Sequence, residues 1–142
     1  MRVQVTVRTK ASLPRVFRYL SDFTTTTQWD PNTVSTSLVS GDGGVGTVYL
    51  NTSVFRSRQT QLRYVVEELA PNERIKLRGE NATVVAVDTI SCRTVAAETE
   101  VTYTAQFQLR GALRLIAPLL RPAFSRLARD ARLGLHSALR DL

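Results

Sequence analysis

The sequence predicts an α+β domain in which a curved antiparallel sheet of about six or seven strands wraps around one long C-terminal helix. Three observations carry this. Between residues 33 and 109 apolar residues recur with a period of two, in segments separated by short turns. Beyond residue 112 the period lengthens to three or four. One strand, TEVTYTAQFQL, is apolar on one face and polar on the other, so the sheet has one side to cover, and only the last helix is long enough to cover it. At 142 residues the chain is expected to form one domain, residues 1–142.

In chain order, VQVTVRT (3–9) alternates Val3, Val5 and Val7 with polar neighbours and reads as a half-buried strand. Ser12 is placed to cap a helix that Pro14 enters in its first turn, and Val16, Phe17 and Leu20 recur on one face of it. SDFTTTTQWDP then breaks the pattern. Threonines cap and turn well but make poor helix, so at most one short helical turn fits. TVSTSLVS leads into GDGGVG, whose glycines permit the positive φ of a hairpin turn. TVYLNTSVF, TQLRYVVEELA, IKLRGE, TVVAVDTISC and TEVTYTAQFQL complete a meander, with PNER as a turn. Leu113, Ile116, Leu120, Phe124, Leu127, Ala131, Leu135 and Ala138 then mark a helical stripe, kinked or split near its start by Pro118 and Pro122. Arg114, Arg121, Arg129, Arg132, His136 and Arg140 fall on the opposite face. A curved sheet around one helix does not close tightly on it, and the gap beside the helix is room for a small molecule.

Composition narrows the chemistry. The single cysteine, Cys92, forms no internal disulfide and sits in an apolar strand, where an inert thiol is expected. One histidine, His136, leaves no multi-histidine metal site and few nucleophile–histidine pairings, so neither a metal nor a cofactor is expected. GDGGVG precedes a strand and not a helix, which sets aside a phosphate-binding loop. The alternating N-terminus lacks the continuous apolar core of a signal peptide, and the expected compartment is the cytoplasm. The net charge is +7, and 17 of the 19 basic residues are arginine. With no aromatic interleaved on the arginine face, nucleic acid is not the expected partner. Membrane contact is expected to be transient at most.

Three segments together carry a resemblance. VTVRTKASLPRVFRYLSDFTTTTQWDP, VSGDGGVGTVYL and ETEVTYTAQFQLRG with the following helix resemble, in order and across nearly the whole chain, the START-like (SRPBCC) helix-grip superfamily in its polyketide cyclase/dehydrase-like branch. The resemblance implies a cavity beside the final helix, with Trp29 plugging one end and the threonine stretch before it forming a mobile lip. It implies a fold more sharply than a function, because relatives of this kind include carriers, cyclases and receptors.

Strand alternation then places Tyr49, Asn51, Phe55, Leu62, Tyr64, Val66, Ile75, Leu77, Asp88, Ile90, Val101, Tyr103 and Phe107 towards the helix, answered by Leu120, Phe124, Leu127 and Ala131. With Trp29 added from the resemblance, the candidate ligand-binding residues are Trp29, Tyr49, Asn51, Phe55, Tyr64, Asp88, Tyr103, Phe107, Phe124 and Leu127. Asp88 is the sharpest of them. Turned inward among Val84, Ala86 and Ile90, its charged form would be disfavoured and its pKa raised, with Tyr64 and Tyr103 as partners in proton transfer. Val87 is apolar on the other parity, so the sequence leaves open which way Asp88 faces. The leading expectation is a binder of a hydrophobic small molecule, lipid or polyketide-like, as a monomer or homodimer. A polyketide cyclase/dehydratase working through Asp88, Tyr64 and Tyr103, and a basic-surface interaction module, are the alternatives.

Overall fold

The alternation in the sequence becomes one seven-stranded antiparallel sheet in the computed structural model, which describes residues 1–142. The strands are β1 (Arg2–Thr9), β2 (Thr33–Ser40), β3 (Val48–Phe55), β4 (Arg58–Ala70), β5 (Arg74–Glu80), β6 (Val84–Val95) and β7 (Glu98–Leu109). From β2 to β7 each strand pairs with the next in sequence, and β1 closes the order by pairing with β7. In β1, burial alternates strictly, with Val3, Val5, Val7 and Thr9 inward. Arg74, expected in the preceding turn, opens β5 by pairing with Ala70 and Ser91.

The helices are α1 (Leu13–Ser21), α2 (Thr26–Trp29) and α3 (Arg121–Arg140). Ser12 stands at the cap of α1 as expected, but its hydroxyl makes no capping bond there. The helix is held instead by Pro14 in its first turn and by burial of Val16, Phe17 and Leu20. The threonine break forms a 3-10 turn (Phe23–Thr25) running into the single turn of α2. All four threonine hydroxyls are hydrogen-bonded: Thr24 to Asp22, Thr25 to the Tyr19 and Asp22 carbonyls, Thr26 to the Phe23 carbonyl and Thr27 to the Thr24 carbonyl. Short side-chain-to-backbone bonds of this kind fasten a turn.

The split expected at the prolines is present. Gly111–Leu120 is a 3-10 segment containing Pro118, and α3 begins beyond it with Pro122 in its first turn. Phe124, Ala131, Leu135 and Leu139 form the buried stripe of α3, which packs on β1 and α2. A larger core cluster gathers Phe23, Trp29, Tyr64, Leu77, Ile90 and Leu135, and a smaller one gathers Val3, Ala105, Leu120 and Phe124. Tyr103, Phe107 and Ala128 pack against both clusters. No helix is long and apolar enough to cross a membrane.

Candidate functional site

Between the sheet and α3 lies a cavity of about 740 Å³, a size ordinary for small-molecule sites. Its wall comes from the stretch 23–33 around α2, from β3, β4, β6 and β7, from the 3-10 segment Gly111–Leu120 and from the first half of α3, and 15 of its 26 lining residues are hydrophobic. Nine of the ten ligand-binding candidates line it: Trp29, Asn51, Phe55, Tyr64, Asp88, Tyr103, Phe107, Phe124 and Leu127. Tyr49 does not. It is buried beneath the wall, its ring 5.8 Å from that of Phe23, and serves the core.

Asp88 faces inward and is 4% exposed, which settles the register left open by Val87. The pairing Leu77↔Asp88↔Ala105 places it mid-sheet between two buried neighbours. The Tyr103 hydroxyl donates to its Oδ2 at 2.9 Å, and the Tyr64 hydroxyl approaches Oδ1 at a longer 3.5 Å. Burial raises the Asp88 carboxyl to about 7, partly opposed by the Tyr103 hydrogen bond. The same burial, with the nearby carboxyl, pushes both tyrosine hydroxyls well above their ordinary value, so they remain donors. Tyr64 is fixed by its cross-strand partner. It lies over Gly79, where an added Cβ would come 2.6 Å from the ring.

Removing the Tyr103 hydroxyl should therefore raise the Asp88 pKa further. In Tyr103→Phe, the ¹³C carboxyl resonance of Asp88 is expected to titrate at a higher pH than in the unaltered protein. An unchanged or lower midpoint would mean that the hydrogen bond does not stabilise the carboxylate.

Trp29 is 2% exposed and meets Tyr103 edge-on, ring centroids 5.2 Å apart. Its indole N–H is buried without a partner, as is the side-chain N–H₂ of Asn32 on the same cavity wall. Unpaired buried donors are costly, so both are available to an acceptor on a bound molecule. Trp29 is thus a buried part of the cavity wall.

Asp30, next to it, was not singled out from the sequence. Its carboxylate accepts from the Asn32 backbone N–H at 3.0 Å and from the Thr33 hydroxyl at 2.9 Å, closing a turn just after α2. Burial raises its pKa against those hydrogen bonds. Deeper in the wall, Asn51 Nδ2 donates to the Thr36 hydroxyl at 2.8 Å. Thr36 in turn lies 2.6 Å from the Thr26 hydroxyl, whose own proton goes to the Phe23 carbonyl. That chain fixes the Asn51 amide with its nitrogen turned to Thr36. The link from Thr26 to Thr36 joins residues ten apart in different elements, and no local pattern announces it.

The rim completes the picture. Phe55, Phe124 and Phe107 pack in series with tilted rings, centroids 5.2 and 5.0 Å apart, while Arg56 and Arg58 at the β3–β4 hairpin tip line the opening. Cys92 is buried on β6, outside the cavity wall, and burial pushes its thiol up to about 12. Arg129, Arg132, His136 and Arg140 lie exposed on the outer face of α3, as expected. No three His, Cys, Asp or Glu side chains converge as a metal would require.

A curved sheet closed around a terminal helix, with an apolar cavity between them, defines a helix-grip protein. The chain belongs to the polyketide cyclase/dehydrase and lipid transport family, which it matches over residues 1–139. It is similar in structure to the Zhui aromatase/cyclase from Streptomyces sp. R1128, with a TM-score of 0.82 at 16% identity over 98% of this chain and 93% of that one. A START superfamily protein from Mycobacterium smegmatis superposes with a TM-score of 0.80 at 13% identity, covering 97% and 96% of the two chains. The protein TTHA0849 from Thermus thermophilus gives 0.79 at 17% identity, covering 98% and 97%. At these identities the likeness is one of fold. No curated protein matches the chain by sequence.

Proposed function

We propose that this protein binds a hydrophobic small molecule, lipid or polyketide-like, in the cavity between the sheet and α3. The observation that carries the reading is the cavity itself: about 740 Å³ of space walled chiefly by apolar side chains, in a fold with no need of a void there for its own stability. Among its polar groups, Trp29, Asn32, Asn51 and Asp88 offer hydrogen bonds that orient a ligand without solvating it. Family membership and the similarity to an aromatase/cyclase and a START protein support the same reading.

A neutral tricyclic fluorophore, 1-aminoanthracene, tests it. Saturable uptake at one site per chain is expected, with the emission shifted to the blue. Ser53→Trp places bulk on the cavity wall away from Asp88 and should weaken uptake by about tenfold or more. Absence of uptake, or uptake indifferent to that substitution, would remove the cavity as the site.

A second reading is favoured by one feature. Asp88 near neutrality, held by Tyr103 on the wall of an apolar cavity, has the pKa that general acid–base catalysis needs. As carboxylate it can take a proton from carbon next to a ketone. As acid it can return one to the oxygen that leaves as water. The cavity would hold a flexible chain in the folded shape that ring closure requires. On this reading the cyclase is a binder that also transfers protons.

A further inference from the structure

The 3-10 segment Gly111–Leu120 has two faces. Leu113, Ile116 and Leu120 line the cavity, whereas Leu115 and Leu119 are 84% and 77% exposed. Two large aliphatic side chains held in water beside a cavity mouth are not explained by the core. Their setting is strongly cationic. Residues 53–60 and 110–121 bring Arg56, Arg58, Arg110, Arg114 and Arg121 to this region and contain no Asp or Glu. Only Arg110 is in an ion pair, with Glu80 at 2.8 Å. Phe55 and Phe124 pack with ring centroids 5.2 Å apart and hold the hairpin tip against the start of α3, so the two arginine-bearing stretches border the same opening.

We propose that this rim docks on the surface of a bilayer containing anionic lipid. Leu115 and Leu119 enter the boundary between headgroups and acyl chains while the flanking arginines lie over the headgroups. Apolar tips embedded in positive charge suit that interface and suit the alternatives less well. A second copy of the chain would set one arginine-rich rim against another, with Glu80 as the sole acid paired to it. A nucleic acid would find no exposed aromatic here to stack on and would leave the leucines in water. The docked orientation turns the cavity mouth towards the membrane. Binding at this rim does not depend on what the cavity holds.

Vesicle flotation of the full chain tests the proposal, using phosphatidylcholine alone and phosphatidylcholine with about one third phosphatidylglycerol. The unaltered protein is expected to float at least about tenfold more with the anionic vesicles, and Leu115→Ser/Leu119→Ser to lose about tenfold of that binding. Both substitutions are on exposed side chains, so the fold is not at stake, and sedimentation velocity monitors the oligomeric state. Equal flotation with both vesicle types overturns the proposal. Undiminished binding by the serine variant overturns it too, since charge adhesion alone would then suffice. A dimer that the serine variant dissolves assigns the leucines to a second copy and likewise overturns it.

Discussion

Gly134→Ala is expected to lower the thermal midpoint by roughly 7–10 °C, although the same change in an ordinary helix raises stability. Glycine inside a helix costs about 1 kcal/mol relative to alanine, so its place in the middle of α3 calls for a reason. The reason is contact. A Cβ at Gly134 would overlap the carbonyl oxygen of Trp29 and come within 3.1 Å of Pro31 Cδ. The obstructing atom is backbone, at the end of α2, and cannot swing aside as a side chain could. Either α3 or the Trp29 turn must shift, at a net cost of about 2–3 kcal/mol after the gain in helix propensity. For a domain of this length that is the stated fall in midpoint. Trp29 is the only tryptophan, so its emission should move to the red in the folded variant as the packing around it loosens. A midpoint that rises would show that α3 and α2 have slack between them.

Asp88→Asn should stabilise the protein at pH 8 and confer little or no advantage near pH 4. The folded carboxyl titrates at about 7 and an unfolded one near 4, so the folded state holds the extra proton throughout the interval. Stability from this group is therefore fully present below about pH 4, falls as pH rises through 7, and is flat above. The slope is about 1.4 kcal/mol per pH unit, which makes the gap between the variant and the parent at pH 8 a few kcal/mol. Asparagine keeps the shape and an acceptor for the Tyr103 hydroxyl, removes the titration, and turns an N–H₂ to the Tyr64 hydroxyl, whose longer 3.5 Å contact must then reverse direction. Urea unfolding at pH 4, 6 and 8 measures it. Parallel curves for the two proteins would mean that the carboxyl ionises in the fold at no penalty.

Much of this architecture is legible in the sequence because alternation is a physical consequence of a sheet with one covered face. Val3, Val5 and Val7 mark β1 and the Val101–Leu109 series marks β7 without reference to anything distant. The helical stripe from Phe124 to Leu135 is equally local, and so is the break at Pro118 and Pro122. Asp88 shows where locality ends. Apolar residues on both parities of β6 leave its direction undetermined, and it is the pairing with Leu77 and Ala105 that turns it inward. Asp30 escaped notice because an acid before proline in a turn reads as turn chemistry, which it is; that the turn borders the cavity depends on where α2 lands. Tyr49 failed in the other direction. Parity puts it on the concave side correctly, but Phe23 from the 3-10 turn covers it before any ligand could. The Asn51–Thr36–Thr26 chain is tertiary in origin, and so is the reason for a glycine at position 134, which the Trp29 backbone supplies.

The place of β1 carries a consequence for how the molecule is made. Its sole strand partner is β7, with Val3 opposite Ala105 and Val7 opposite Val101, about a hundred residues downstream. During translation the six-strand meander can zip up hairpin by hairpin, while the first strand waits unmated and α3, which rests on it, is still unmade. Closing so long a loop is entropically the most demanding step of assembly. A nascent chain therefore keeps its greasy interior open to chaperones until the last helix has left the ribosome.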